Sequence, residues 1–160
     1  MGTADFLAAV LDGAHERAEA LLGARIPAGW PRDGDSRLGL TIQLTALRRR
    51  PRQGAWRVRL MVLRAEHRVA GTIHLKGPPG VARSVDLGWE VEPSDRGQGL
   101  ATEGARAVLR WALTQAHVRR VTARIHDHNT ASIRVAERLG MQRTPVRYGT
   151  EGLIWEIERP

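Results

Sequence analysis

Apolar and polar positions change rhythm several times along the chain, and each change marks an element. Phe6, Leu7, Val10 and Leu11, then Ala18, Leu21 and Leu22, recur at helical spacing with Asp12-Gly13 between them, which predicts two short helices. Residues 24–35 contain Pro27, Gly29, Pro31 and Gly34 and read as loop. Ser36 is placed to cap a third helix whose Leu38, Ile42, Thr45 and Ala46 fall on one side. A period of two takes over at Trp56, Val58, Leu60 and Val62, and again at Val69, Gly71, Ile73 and Leu75. With Ala65 to Arg68 as the turn, these predict two antiparallel strands. Gly77-Pro-Pro-Gly80 then leads to a third strand at 84–91, completing a meander.

Behind a Pro/Ser/Asp/Gly turn, Leu100, Ala101, Ala105, Val108, Leu109, Ala112 and Ala116 make an apolar stripe on a helix of about four turns. Val121, Ala123 and Ile125 alternate after it. Strand, helix and strand in this order predict a right-handed crossover, with the two strands parallel and a ligand at their carboxyl ends. Ser132, Val135, Ala136 and Leu139 share one face of the next helix, which Gly140 closes. The tail reads as a hairpin, Gln142 to Arg147 and Leu153 to Glu158 around Tyr148 to Gly152. The expected fold class is α/β (α+β), a mixed, largely antiparallel twisted sheet flanked by helices.

A length of 160 residues with 42% hydrophobic content supports one ordinary domain over 1–160. No apolar run approaches the ~18 residues of a membrane span, and acids stand where a signal peptide would have a basic head, so a cytoplasmic protein is expected. The absence of cysteine excludes disulfides, thiolate ligands and a Cys acyl-enzyme. The six His and the acids show no metal-ligand spacing, so no metal is expected. The formal charge of +8 is carried by arginine, with Lys76 the one lysine, so single arginines carry little information. The run Arg48-Arg49-Arg50-Pro51-Arg52 reads as a solvated helix end, and Trp30 as a hydrophobic plug over the core.

The stretch from Val85 to Gly104 passes from an apolar strand through a turn into a helix, and that transition builds an anion site. Arg96-Gly97-Gln98-Gly99-Leu100-Ala101 puts two glycines where the backbone bends tightly and approaches a ligand. The first N–H groups of a helix lack intrahelical partners and the macrodipole adds positive charge, so a phosphate or pyrophosphate suits the position, with Arg96 as a fixed cation. No Gly-Lys-Ser/Thr follows, which excludes a P-loop, and the third glycine of the dinucleotide fingerprint is missing. The spacing Arg96-x-x-Gly99-x-Ala101 resembles the acyl-CoA signature of the GNAT superfamily of N-acyltransferases, Arg/Gln-x-x-Gly-x-Gly/Ala. Asn129-x-x-Ser132, with Gly140-Met141 at the helix end, resembles its second motif.

The resemblance covers residues 56–157 and is nearest in flavour to the ribosomal-protein N-terminal acetyltransferase branch. It implies a GNAT-like fold whose parallel strand pair splays at the acyl-CoA site. It also implies acetyl-CoA as co-substrate and an amine acceptor, either a protein N-terminus or a small molecule. The cofactor-binding residues it implies are Val91, Arg96, Gly97, Gln98, Gly99, Leu100, Ala101 and Asn129, with the pantetheine chain entering beside Trp89, Glu90 and Val91. The helices before residue 56 would border the acceptor cleft.

Transfer of acetyl from a thioester to an amine needs a docked thioester, a deprotonated amine, and stabilisation of the oxyanion with protonation of the thiolate. Glu90 and Glu92 share one face near the functional end of their strand. Glu90 is the favoured base, and the competing reading makes both solvated acids. Many relatives place a Tyr seven residues after the motif Asn as the acid for the thiolate, but here that position is Ala136. Attention moves to Ser132, whose hydroxyl could reach the sulfur or could bond its own backbone. Asn129 could bond a pantetheine amide or cap its helix. His126 and His128 could relay protons, and their alternation would let only one face the cleft. Tyr148, in the hairpin turn, has no supported role.

Two readings from other classes remain beside the acetyltransferase. One is a non-catalytic acyl-CoA-binding or sensing domain that keeps Arg96 to Ala101 without a working base. The other is a ribosome- or RNA-associated basic module resting on the Arg excess. Nucleic acid is not an expected partner; a homodimer is carried as the candidate assembly.

Overall fold

In the computed structural model, which describes residues 3–159, the chain divides into two units, Met1–Thr72 and Ile73–Pro160. The first unit begins with α1 (Ala4–Leu11), where the Thr3 hydroxyl accepts the Phe6 amide, and α2 (His15–Leu22), ended by Gly23 in the left-handed region. Phe6, Leu7 and Val10 pack with Trp30 and with Leu40, Leu44 and Leu47 of α3 (Gly34–Arg49) into one core. Trp30 is thus a core residue, 6.4 Å from Phe6 between ring centroids, and Arg48 to Arg52 are exposed as expected.

Three expectations for this unit need correction. Asp33, not Ser36, caps α3: its carboxylate accepts the Ser36 amide at 2.7 Å. The buried face is Leu40, Gln43, Leu44 and Leu47, while Leu38 and Ile42 are each 59% exposed. The helix carries two apolar stripes, and the one that continues into the core around Phe6 and Trp30 is the one buried. The strand expected from Trp56 starts instead at Arg59. Pro51 opens a 3-10 turn over Pro51–Trp56, leaving β1 as Arg59–Leu63. It lies beside β2 (Arg68–Leu75), whose last residues belong to the second unit.

The second unit contains β3 (Ser84–Val91), α4 (Leu100–Thr114), β4 (Arg120–His126), α5 (Thr130–Arg138), β5 (Gln142–Tyr148) and β6 (Gly152–Glu158). Among the described residues its strands follow the order β3-β4-β6-β5, with β3 and β4 pairing parallel in a mixed, mostly antiparallel sheet. The tail hairpin therefore docks through its second strand, with Val121, Ala123 and Ile125 opposite Ile157, Trp155 and Leu153. Those β4 positions are buried, as the alternation requires. Thr102, Ala105, Val108, Leu109 and Ala112 of α4 are buried and the helix packs on β3, while α5 packs on β4.

One feature of this sheet governs the site. The parallel pairing of β3 with β4 runs through Ser84↔Arg120, Val85↔Val121 and Asp86↔Thr122 and ends there. β3 continues to Val91, and β4 continues to His126 by pairing with β6. Between the two carboxyl ends the sheet opens as a wedge.

Candidate functional site

The wedge leads directly to the start of α4. After β3, Pro93–Asp95 forms a 3-10 turn, Arg96 is extended, and Gly97 and Gly99 take φ of +78° and +82°. A Cβ at either glycine would meet no protein atom within 4 Å, so crowding is not what requires glycine. The left-handed backbone requires it, and the missing side chains leave the loop surface open. Thr3, Asp33 and Asn129 cap α1, α3 and α5 with side-chain oxygens, whereas the residue in that position on α4 is Gly99, which has none. The first amides of α4 are thus presented outward with the positive end of the helix dipole.

A cleft of about 360 Å³ opens on these amides. It is lined by Trp89, Glu90 and Val91 from β3, by Arg96, Gly97, Gly99, Leu100 and Ala101, and by Ser132 and Val135 from α5. Eight of the ten residues singled out from the sequence meet here. Gln98 faces an adjoining groove with Arg106, Arg110 and Arg138. Asn129 does not line the cleft: its Oδ1 accepts the Ser132 amide at 3.0 Å and caps α5. The Ser132 hydroxyl makes no hydrogen bond among the described residues and borders the cleft. Arg96 Nε donates to the Val91 carbonyl at 3.1 Å, tying the loop to the end of β3, and Arg96 lines the cleft.

Glu90 is half-buried and lines the cleft, while Glu92 is 4% exposed and does not. The reading of Glu92 as a solvated acid is therefore corrected: the chain turns at Pro93, and Glu92 is drawn inside. Asp95 in the same turn is also buried. The histidine expectation changes as well. β4 ends at His126, so alternation does not extend to His128. The two rings stack at 5.4 Å, both exposed, and neither lines the cleft. Tyr148 closes β5 with its ring over Gly152, 5.7 Å from His126. Ala136 is fully buried.

Sequence reasoning missed His74. A second cavity of about 160 Å³ shares Trp89 and Ser132 with the cleft and is walled by His74, Lys76, Gly88 and Arg124. The His74 imidazole fills the space a Gly88 side chain would take, its Nε2 lying 2.2 Å from where that Cβ would sit. Burial, helped by the charge of Lys76 and opposed by Asp86, holds His74 down at about 4, so the ring is neutral at pH 7. Asp86, whose charge is felt at His74 and whose side chain is 10% exposed, receives Arg124 Nε at 2.6 Å and Lys76 Nζ at 3.4 Å on one oxygen. The visible signal was a glycine in the middle of a strand, which marks a close approach.

These features can be set beside known proteins. Over 81 residues, 51% of this chain, the sequence is 28% identical to the uncharacterized N-acetyltransferase YjdG of Bacillus subtilis (strain 168), covering 48% of that protein. The chain spans about half the length, or less, of the curated relatives it matches. An acetyltransferase from Agrobacterium tumefaciens str. C58 shares the fold with a TM-score of 0.63 and 24% identity, covering 81% of this chain and 75% of that one. A spermidine N-acetyltransferase from Vibrio cholerae, in complex with CoA and spermine, superposes with a TM-score of 0.61 at 13% identity, covering 72% of each chain. Residues 14–142 match the acetyltransferase (GNAT) domain, and the chain belongs to that family.

Proposed function

We propose that this chain is one acyltransferase domain that moves the acetyl group of acetyl-CoA to a primary amine by direct attack in a ternary complex. The observation that carries the reading is the α4 N-terminus, whose N-cap Gly99 offers no side-chain oxygen and follows Gly97 in a left-handed turn, opening on a cleft that runs to the β3–β4 wedge. Amides of residues 97–101 and the Arg96 guanidinium hold the pyrophosphate. Gln98, Arg106, Arg110 and Arg138 offer a basic groove beside it for the nucleotide end. The pantetheine arm follows the unpaired edge at Val91 toward Trp89 and Ser132. Asn129 acts by fixing the start of α5, and so the position of Ser132.

In the reaction the amine nitrogen bonds to the thioester carbonyl carbon and the carbon–sulfur bond breaks. Glu90 takes the amine proton and releases it to solvent, while the Ser132 hydroxyl relays a proton from solvent to the departing thiolate, so that both side chains end in their starting protonation states. The proposed acceptor is a protein N-terminus or a small amine. The ribosomal-protein branch is supported by the paired motifs together with Ser132. The proposed setting is the cytoplasm, in keeping with a cysteine-free chain. Incubation with acetyl-CoA and a panel of amines and N-terminal peptides, read by mass spectrometry, should reveal an acceptor gaining one acetyl group. Coenzyme A binding without acetylation of any acceptor would support a non-catalytic acyl-CoA-binding domain instead.

A further inference from the structure

Away from the cleft, α3 carries a seam that its own core does not use. Asp35, Leu38, Ile42, Thr45 and Arg49 recur at alternating steps of three and four residues, and all five are exposed. That spacing follows one face of the helix, with Leu38 and Ile42 as its apolar members. It lies on the side of the helix opposite Leu40, Gln43, Leu44 and Leu47, which are buried in the first unit. Leu38 and Ile42, each 59% exposed and one helical turn apart, form an apolar step at the centre of this face.

The charges along the seam identify the occupant. On the seam Asp35 stands in the first turn and Arg49 in the last. A parallel copy of the helix would set acid against acid and Arg against Arg. An antiparallel copy with Ile42 on a two-fold axis sets Asp35 against Arg49 of the second copy at both ends. Leu38 then meets Ala46 and Gly39 meets Thr45. Gly39 has nothing within 4 Å of where its Cβ would be, so the backbones can approach closely there. In a two-fold contact each complementary pair occurs twice. We propose that this face of α3 pairs antiparallel with the same face of a second copy of the chain. A 16-residue helix is about 24 Å long, so the contact belongs with small, concentration-dependent interfaces.

Sedimentation equilibrium of the full chain across a range of concentrations tests this, with circular dichroism confirming that each variant keeps its helix content. The wild type should show a monomer–dimer equilibrium, and Leu38→Asp combined with Ile42→Asp should abolish it. Asp35→Arg and Arg49→Asp should each weaken association at least several-fold, and the two together should restore it. Since the chain has no cysteine, Ile42→Cys places one thiol at the axis. Mild oxidation should link it into covalent dimers, whereas Val146→Cys, exposed on β5, should stay monomeric. A monomer at every concentration, a dimer that survives the paired Asp substitutions, or a charge swap without rescue would overturn the proposal. So would a monomer in which Leu38→Asp impairs acetylation of a protein acceptor, because the seam would then be an acceptor surface.

Discussion

His74 and Gly88 are understandable only as a pair. The imidazole occupies the volume of the absent Gly88 side chain, so Gly88→Ala must push His74 off its position and should destabilise by about 1 to 3 kcal/mol, the usual range for overpacking. In a His74→Ala background the same change should cost much less, and a double-mutant cycle by denaturant titration measures the coupling. The ring also makes stability depend on pH. Its value of about 4 lies below the ordinary 6.5, so the unfolded chain binds a proton in that window that the folded chain does not. His74 therefore contributes fully above 6.5, by roughly 3 kcal/mol at 1.36 kcal/mol per unit. The contribution is lost as pH falls from 6.5 toward 4. Melts at pH 7.5 and 4.5 should show a smaller loss for His74→Gln than for the wild type.

Glu90 carries the proposed proton transfer. Glu90→Gln should lower kcat by about 10²- to 10⁴-fold at neutral pH with little change in acetyl-CoA affinity. The deficit should shrink as pH nears the acceptor amine pKa, where the amine needs less help. Glu92→Gln tests the alternative, though its buried position makes a loss of stability the expected outcome there. A rate profile for Glu90→Gln that matches the wild type would remove Glu90 from the mechanism.

At the scale of elements, the connection from β3 to α4 is a loop held open. Arg96 ties its near side to the Val91 carbonyl, and two left-handed glycines shape the rest. Arg96→Ala should weaken coenzyme A about ten- to a hundred-fold, the effect of losing a charge-assisted bond to phosphate. Acetyl-pantetheine, which lacks the pyrophosphate, should bind the variant and the wild type alike. Equal losses for both ligands would mean that Arg96 supports the loop and not the phosphate. This element was legible in the sequence because its signals are local: glycine at forced φ, and a helix stripe beginning at once. The alternation of β4 and the hairpin of β5 and β6 were legible for the same reason.

Elsewhere local pattern was insufficient. α3 has two apolar stripes, and periodicity alone does not say which faces the core. The alternation around Trp56 and Val58 mimics a strand start, yet Pro51 winds that segment into a 3-10 turn. His74 reads as one more outward strand residue until Gly88, fourteen positions on, lies beneath it. Glu92 reads as exposed until the Pro93 turn folds it in.

For the molecule as a whole, part of the +8 charge gathers in the groove of Arg106, Arg110 and Arg138 beside the start of α4. A polyanionic co-substrate fits that arrangement, and its binding should weaken with added salt. The central claim is that coenzyme A binds on the amides of residues 97–101. Isothermal titration of coenzyme A into the wild type and into Gly99→Glu, each verified as folded, tests it most directly. The account predicts one site per chain in the wild type and no measurable binding in the variant, whose carboxylate would point at the pyrophosphate position. Unchanged affinity in Gly99→Glu, or no binding by the wild type, would contradict it.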